Sequence, residues 1–108
     1  MRAALVASAV VVLLCTACGD SSGPANEVIV EMRDDTFSPT PRNITAGTTV
    51  RWRNVGNNPH NSTSTPAGQW ASGTVSPGSS FPRRFDTAGT FNYECTIHPG
   101  MNGTIVVQ

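Results

Sequence analysis

The segment Thr90-Phe91-Asn92-Tyr93-Glu94-Cys95-Thr96-Ile97-His98-Pro99-Gly100-Met101 constrains the fold of this chain more than any other. Apolar and polar residues alternate up to Cys95, which reads as a strand with Phe91, Tyr93 and Cys95 on one face. The spacing Cys-x2-His-x2-Met then places a thiol, an imidazole and a thioether in one short loop. Pro99 and Gly100 turn that loop, and Gly103-Thr104-Ile105-Val106-Val107 continues as a closing strand. The only other histidine, His60, lies far upstream in a Pro/Asn-rich segment. If His60 is to meet the loop, a folded sheet must bring two distant strand ends to one edge.

The rest of the chain has the grain of an all-β protein. Val28, Val30 and Met32 alternate with polar neighbours in a first strand, Glu27 to Arg33, and Asp34-Asp35 reads as a turn. Phe37 to Ile44 reads as an irregular extended piece, because Pro39 and Pro41 forbid a central strand. After a turn at Thr45-Ala46-Gly47 comes the cleanest strand, Thr48 to Asn54, with Val50 and Trp52 inward and Arg51 and Arg53 outward. Val55 to Pro59 is a turn cluster delivering His60, and Asn61 to Thr65 a short strand. Pro66 to Pro77 is a long loop carrying Trp70 and Val75. In Ser79 to Phe85, Pro82 marks an edge or bulged strand. Six or seven short strands with no helix predict a β-sandwich or small barrel.

Lys+Arg and Asp+Glu balance at seven each, all seven basic residues being arginine, so no clustered basic excess points to nucleic acid. The N-terminus stands apart in composition. Met1-Arg2 is followed by an apolar run from Ala3 to Leu14, too short to span a bilayer comfortably, and then Cys15-Thr16-Ala17-Cys18-Gly19. Residues 1–17 read as an export signal. The ending resembles a bacterial lipoprotein box, which implies cleavage before Cys18 and a lipid on its thiol; Cys15 stands where that pattern usually has Leu. Ordinary secretion is the alternative. Residues 18–26 are then a lipidated cysteine and flexible linker, and residues 27–108 one folded domain. Cys95 is left as an unpaired thiol in an oxidising compartment, where it needs burial or a metal.

One cysteine, two histidines and a weakly held methionine form the ligand set of a blue-copper electron-transfer site. In that chemistry Cys95 binds as thiolate, His60 and His98 as neutral imidazoles, and Met101 at the weak axial position. A trigonal His2Cys arrangement with a distant thioether suits both Cu(II) and Cu(I), so little moves when an electron arrives. Each residue also has a bland reading taken alone: Cys95 and Met101 as core, His60 as a surface-loop histidine. Their combined spacing decides against it.

The run Gly89 to Gly103 resembles the ligand loop of plastocyanin-type cupredoxins, most closely that of amicyanins. Pro59-His60-Asn61 and Gly47 to Asn54 match the same pattern. The resemblance implies a Greek-key β-sandwich with one type 1 copper per chain, held by His60, Cys95, His98 and Met101. It implies single-electron transfer between redox proteins, with docking near His98; the N-terminal signal and lipoprotein-like box separately imply an extracytoplasmic monomer that touches the membrane only through a lipid on Cys18. The cupredoxin resemblance also implies that Asn61 hydrogen-bonds near the Cys95 sulfur and ties the two loops together with Thr96. Ile97 and Gly100 depart from amicyanins, which usually have Pro and Phe there. Ile97 adds an N–H able to reach a sulfur, and Gly100 removes apolar area beside His98.

Other functions fit less well. A His three residues after Cys95 in a tight loop is poorly placed as a base for a thiol nucleophile, so no enzyme is expected. Structural zinc favours more Cys and His and does not use Met. A periplasmic copper chaperone or storage protein is the alternative from another class. With only three methionines, two of them outside the loop, the carrier reading is favoured. Asn43, Asn61 and Asn102 begin glycosylation-like triplets, which a bacterial lipoprotein signal makes meaningless.

Overall fold

Period-two alternation of Val, Ile, Phe and Trp with polar residues builds eight strands and no helix in a computed structural model that describes residues 26–108. They are β1 (Glu27–Arg33), β2 (Thr36–Ser38), β3 (Arg42–Ile44), β4 (Thr48–Asn54), β5 (Thr63–Thr65), β6 (Ser80–Phe85), β7 (Gly89–Glu94) and β8 (Asn102–Val107). The expected signal segment 1–17 and nearly all of the linker lie outside the described residues.

The strands form two four-stranded sheets, ordered β2-β1-β4-β6 and β3-β8-β7-β5. Both are mixed: β1 runs parallel to β4 and β3 parallel to β8, while the other pairs are antiparallel. From β2 to β7 the chain crosses between the sheets at every connection, the habit of a Greek-key sandwich.

Two expectations need correcting. The strands number eight rather than six or seven. The stretch Phe37 to Ile44 is also not one irregular piece, because it ends one sheet as β2 and begins the other as β3. The physical argument about proline holds in a sharper form. Pro39 and Pro41 sit between β2 and β3, both edge strands, where a missing N–H removes no ladder bond. Pro82 likewise falls on an edge strand, β6.

The core lies between the sheets. Val30, Met32, Val50, Trp52 and Phe85 face Ile44, Tyr93, Ile105 and Val107. Trp52 is fully buried at its centre, 5.2 Å from the Tyr93 ring and 5.8 Å from Trp70. Burying an aromatic of this size is worth a few kcal/mol. Trp70 reaches the core from the loop after β5 because serines organise that loop: Trp70 Nε1 donates to Ser62 Oγ at 2.9 Å, and Ser64 Oγ accepts from the N–H groups of Gln69 and Trp70. At the end of this packed layer the chain leaves β7 at Cys95, and the loop carrying His60 approaches from the other side.

Candidate metal centre

Cys95 follows β7 directly, so the strand's inward register carries its side chain into the core, where it is 2% exposed. The loop behind it closes on itself: Cys95 N–H donates to Met101 carbonyl O at 2.9 Å, and Met101 N–H donates to His98 carbonyl O at 3.2 Å. Gly100 makes this turn possible, with φ +87°, a left-handed conformation that side chains other than glycine resist. Met101 is buried at the loop's end and His98 is half-buried.

His60 is fully buried, and its backbone is fixed by a two-way bridge to Val75. His60 N–H donates to Val75 carbonyl O at 3.2 Å, and Val75 N–H donates to His60 carbonyl O at 2.8 Å. Asn54, at the end of β4, braces the turn before it, with Nδ2 donating to the carbonyls of Asn58 and Val75. The ring itself is oriented at both nitrogens. Nδ1 faces His98 Nδ1 at 3.1 Å, and Nε2 meets Asp34 Oδ1 at 3.2 Å.

His60, Cys95 and His98 therefore bring two imidazole nitrogens and one sulfur together. Cys95 Sγ lies 3.9 Å from His60 Nδ1 and 3.6 Å from His98 Nδ1. With metal–nitrogen bonds of about 2.0 Å and a metal–sulfur bond of about 2.3 Å, these separations subtend angles of about 100°, 110° and 130° at one ion. The donor set fits a trigonal His2Cys metal ion in size and chemistry.

The neighbours of the sulfur agree with the role expected of Asn61, with one refinement. The group reaching Cys95 Sγ is the Asn61 backbone N–H, at 3.4 Å. The Asn61 side chain does the tying: Nδ2 donates to Thr96 Oγ1 at 2.8 Å, and Oδ1 accepts from Thr96 N–H at 3.0 Å and Thr63 Oγ1 at 3.1 Å. Ile97 does not use its N–H in this way; among the described residues no hydrogen bond from it to the sulfur forms, and its side chain points out, 42% exposed.

Sequence reasoning missed Asp34, Asn54 and Val75. Asp34 was legible only as half of a turn between β1 and β2. Its carboxylate in fact accepts from the N–H groups of Asn57 and Asn58 as well as facing His60. The Asn57 N–H holds the Asp34 carboxyl below its ordinary range; Asn58 and His60 add to this, and partial desolvation opposes it. Nothing in local spacing signals a contact that depends on where two loops meet.

A β-sandwich carrying one thiol, two imidazoles and a buried thioether at one end is a cupredoxin, and this chain belongs to the cupredoxin-like family, matching the Cupredoxin-like domain over residues 4–107. Within it the chain is a plastocyanin- and amicyanin-like cupredoxin. It is 40% identical over 84 residues to the plastocyanin of Scenedesmus fuscus, an alignment covering 67% of this chain and 86% of that protein. The chloroplastic plastocyanin of Tetradesmus obliquus is 37% identical over 84 residues, 67% of this chain and 58% of that longer protein. Among solved structures, a reduced amicyanin variant superposes with a TM-score of 0.70 at 28% identity, covering 76% of this chain and 82% of its own. A purple cupredoxin from Nitrosopumilus maritimus gives 0.68 at 28% identity, covering 77% and 99%. Copper, one ion per chain, is the cofactor this family and this donor set share.

Proposed function

We propose that this protein is an extracytoplasmic type 1 copper protein that carries single electrons between redox partners, with His60, Cys95, His98 and Met101 as its ligands. The observation that supports the reading best is the cluster of one sulfur and two Nδ1 atoms, 3.1, 3.6 and 3.9 Å apart. Its plastocyanin and amicyanin relatives indicate the same class. Copper supplies a reversible one-electron change between Cu(II) and Cu(I).

The chain's own groups make that change easy. With copper bound, Cys95 would serve as thiolate and the two imidazoles as neutral donors through Nδ1. The Asn61 N–H donated to the sulfur draws charge from it. Met101, buried at the end of the loop, would supply the weak thioether ligand. The backbone bridge at His60 and the Asn61–Thr96 link hold both loops against the sandwich, which would keep the donors in place in either oxidation state. The half-buried His98, beside the exposed Ile97, would be the route for the electron and the place where a redox protein would dock.

We further assign residues 1–17 as an export signal and Cys18 as a lipidated anchor joined by the linker to a monomeric domain of residues 27–108. No enzymatic activity is ascribed to it. The visible spectrum and EPR of the Cu(II)-loaded chain test the main reading. Intense blue absorption with small copper hyperfine splitting is expected; a pale product with ordinary tetragonal splitting would refute it. Copper that a chelator removes readily, with slow electron self-exchange, would move the assignment to a chaperone or storage protein. Mass spectrometry of the membrane-derived protein should find a lipid on Cys18; an unlipidated, secreted product rules out the anchor.

A further inference from the structure

We infer that Asp34, on the turn between β1 and β2, is a positioning residue for copper: it holds His60 through Nε2 and places a negative charge against the site. The inference rests on the copper reading above but on different observations. His60 has both ring nitrogens engaged, Nδ1 towards Cys95 and His98 and Nε2 towards Asp34 Oδ1 at 3.2 Å. A neutral imidazole can offer a lone pair at Nδ1 only when its proton sits on Nε2. A carboxylate acceptor at Nε2 selects that tautomer and fixes the ring plane, as carboxylates do for metal-bound histidines generally.

The rest of the contact is built around this arrangement. Asp34 Oδ1 accepts from Asn57 N–H at 3.1 Å and Asn58 N–H at 3.2 Å while facing His60, and Oδ2 takes a second contact from Asn57 at 3.1 Å. The turn that delivers His60 is thus clamped to the β1–β2 turn by the group that orients the ring. Gly56 permits the approach, because a Cβ there would run into Asp34 Oδ1. The Asp34 side chain is one-third exposed and His60 not at all, so solvent weakens the carboxylate's field without abolishing it. Cu(II) with one thiolate and two neutral imidazoles carries a net positive charge. A fixed anion beside it favours the oxidised ion and lowers the reduction potential.

Two substitutions separate geometry from charge. In Asp34→Asn an amide oxygen at the Oδ1 position keeps all three acceptor contacts, while the charge is lost and the second Asn57 contact becomes a donor–donor approach at the exposed side. Asp34→Ala removes the acceptor altogether. Asp34→Asn should hold Cu(II) within a few-fold of the parent affinity and show a raised potential. Asp34→Ala should lose roughly 10–100-fold in Cu(II) affinity and show altered copper hyperfine splitting. In the diamagnetic Cu(I) protein the His60 Nε2–H proton should be slow to exchange, and Asp34→Ala should speed its exchange. Gly56→Ala, which displaces the carboxylate by another route, should shift the spectrum in the same direction as Asp34→Ala. If apo-protein stability falls in Asp34→Ala while affinity, spectrum and the Asp34→Asn potential all stay at parent values, Asp34 only staples the loop and the inference is overturned. A parent protein without a type 1 spectrum would overturn the copper reading and this inference together, which distinguishes the two failures.

Discussion

Cys95 is at once a core side chain and the thiolate donor of the proposed site, and its two roles can be pulled apart. Cys95→Ser keeps nearly the same volume but replaces the soft sulfur with a hydroxyl, so the protein should fold and lose its thiolate-to-copper colour. A blue product from this variant would show that the ligand assignment is wrong. Met101 poses the opposite case. It is buried at the end of the ligand loop, and Met101→Leu is nearly volume-conserving, with a packing cost below about 1.5 kcal/mol. Copper should stay bound, and the reduction potential should rise because a donor that favours Cu(II) is gone. An unchanged potential in voltammetry would argue that Met101 is not axial.

Among the elements, the ligand loop and the His60 loop are independent in sequence and joined in space chiefly by Asn61. Its side chain makes three hydrogen bonds, two to Thr96 and one to Thr63. Asn61→Ala removes all three but leaves the backbone N–H that reaches Cys95 Sγ. The blue colour should therefore survive while urea stability of the apo-protein falls by about 1–3 kcal/mol and copper leaves faster to a chelator. Equal stability and equal copper loss would mean that the two loops are held by their strands alone. The strands themselves are well placed to do part of this work, since β5 and β7 pair directly behind the loops.

On the scale of the whole molecule, the aromatic core links stability to pH through Tyr93. An unfolded tyrosine ionises near 10.0, whereas burial pushes the Tyr93 phenol up to about 12. Between those values the unfolded chain has lost a proton that the folded chain keeps, so unfolding becomes easier as pH rises. The contribution is fully present below pH 10 and disappears progressively towards 12; it is of order 2 kcal/mol. Urea midpoints at about pH 9 and about pH 11.5 should fall further for the parent than for Tyr93→Phe. Parallel curves for the two proteins would remove Tyr93 from the account of alkaline unfolding.

The residues of the proposed site were legible in the sequence because copper chemistry restricts their type and spacing. Thiolate, imidazole and thioether donors suit such a site, and Cys95, His98 and Met101 crowd into one loop between two alternating strands. The inward faces of β1, β4 and β7 were equally readable, since a period of two fixes the direction of Val30, Trp52 and Tyr93 without reference to the partner strand. Proline chemistry showed that the Phe37 to Ile44 stretch avoids a central position, but not that it divides between the sheets, because edge membership depends on pairing. What holds His60 was left to the tertiary structure. Asp34 and Val75 reach it, and Asn54 braces its turn, across turns whose meeting point is decided by the parallel pairing of β1 with β4. Local patterns specify which side chains face inward, whereas contacts between distant loops exist only once the two sheets have closed on their common core.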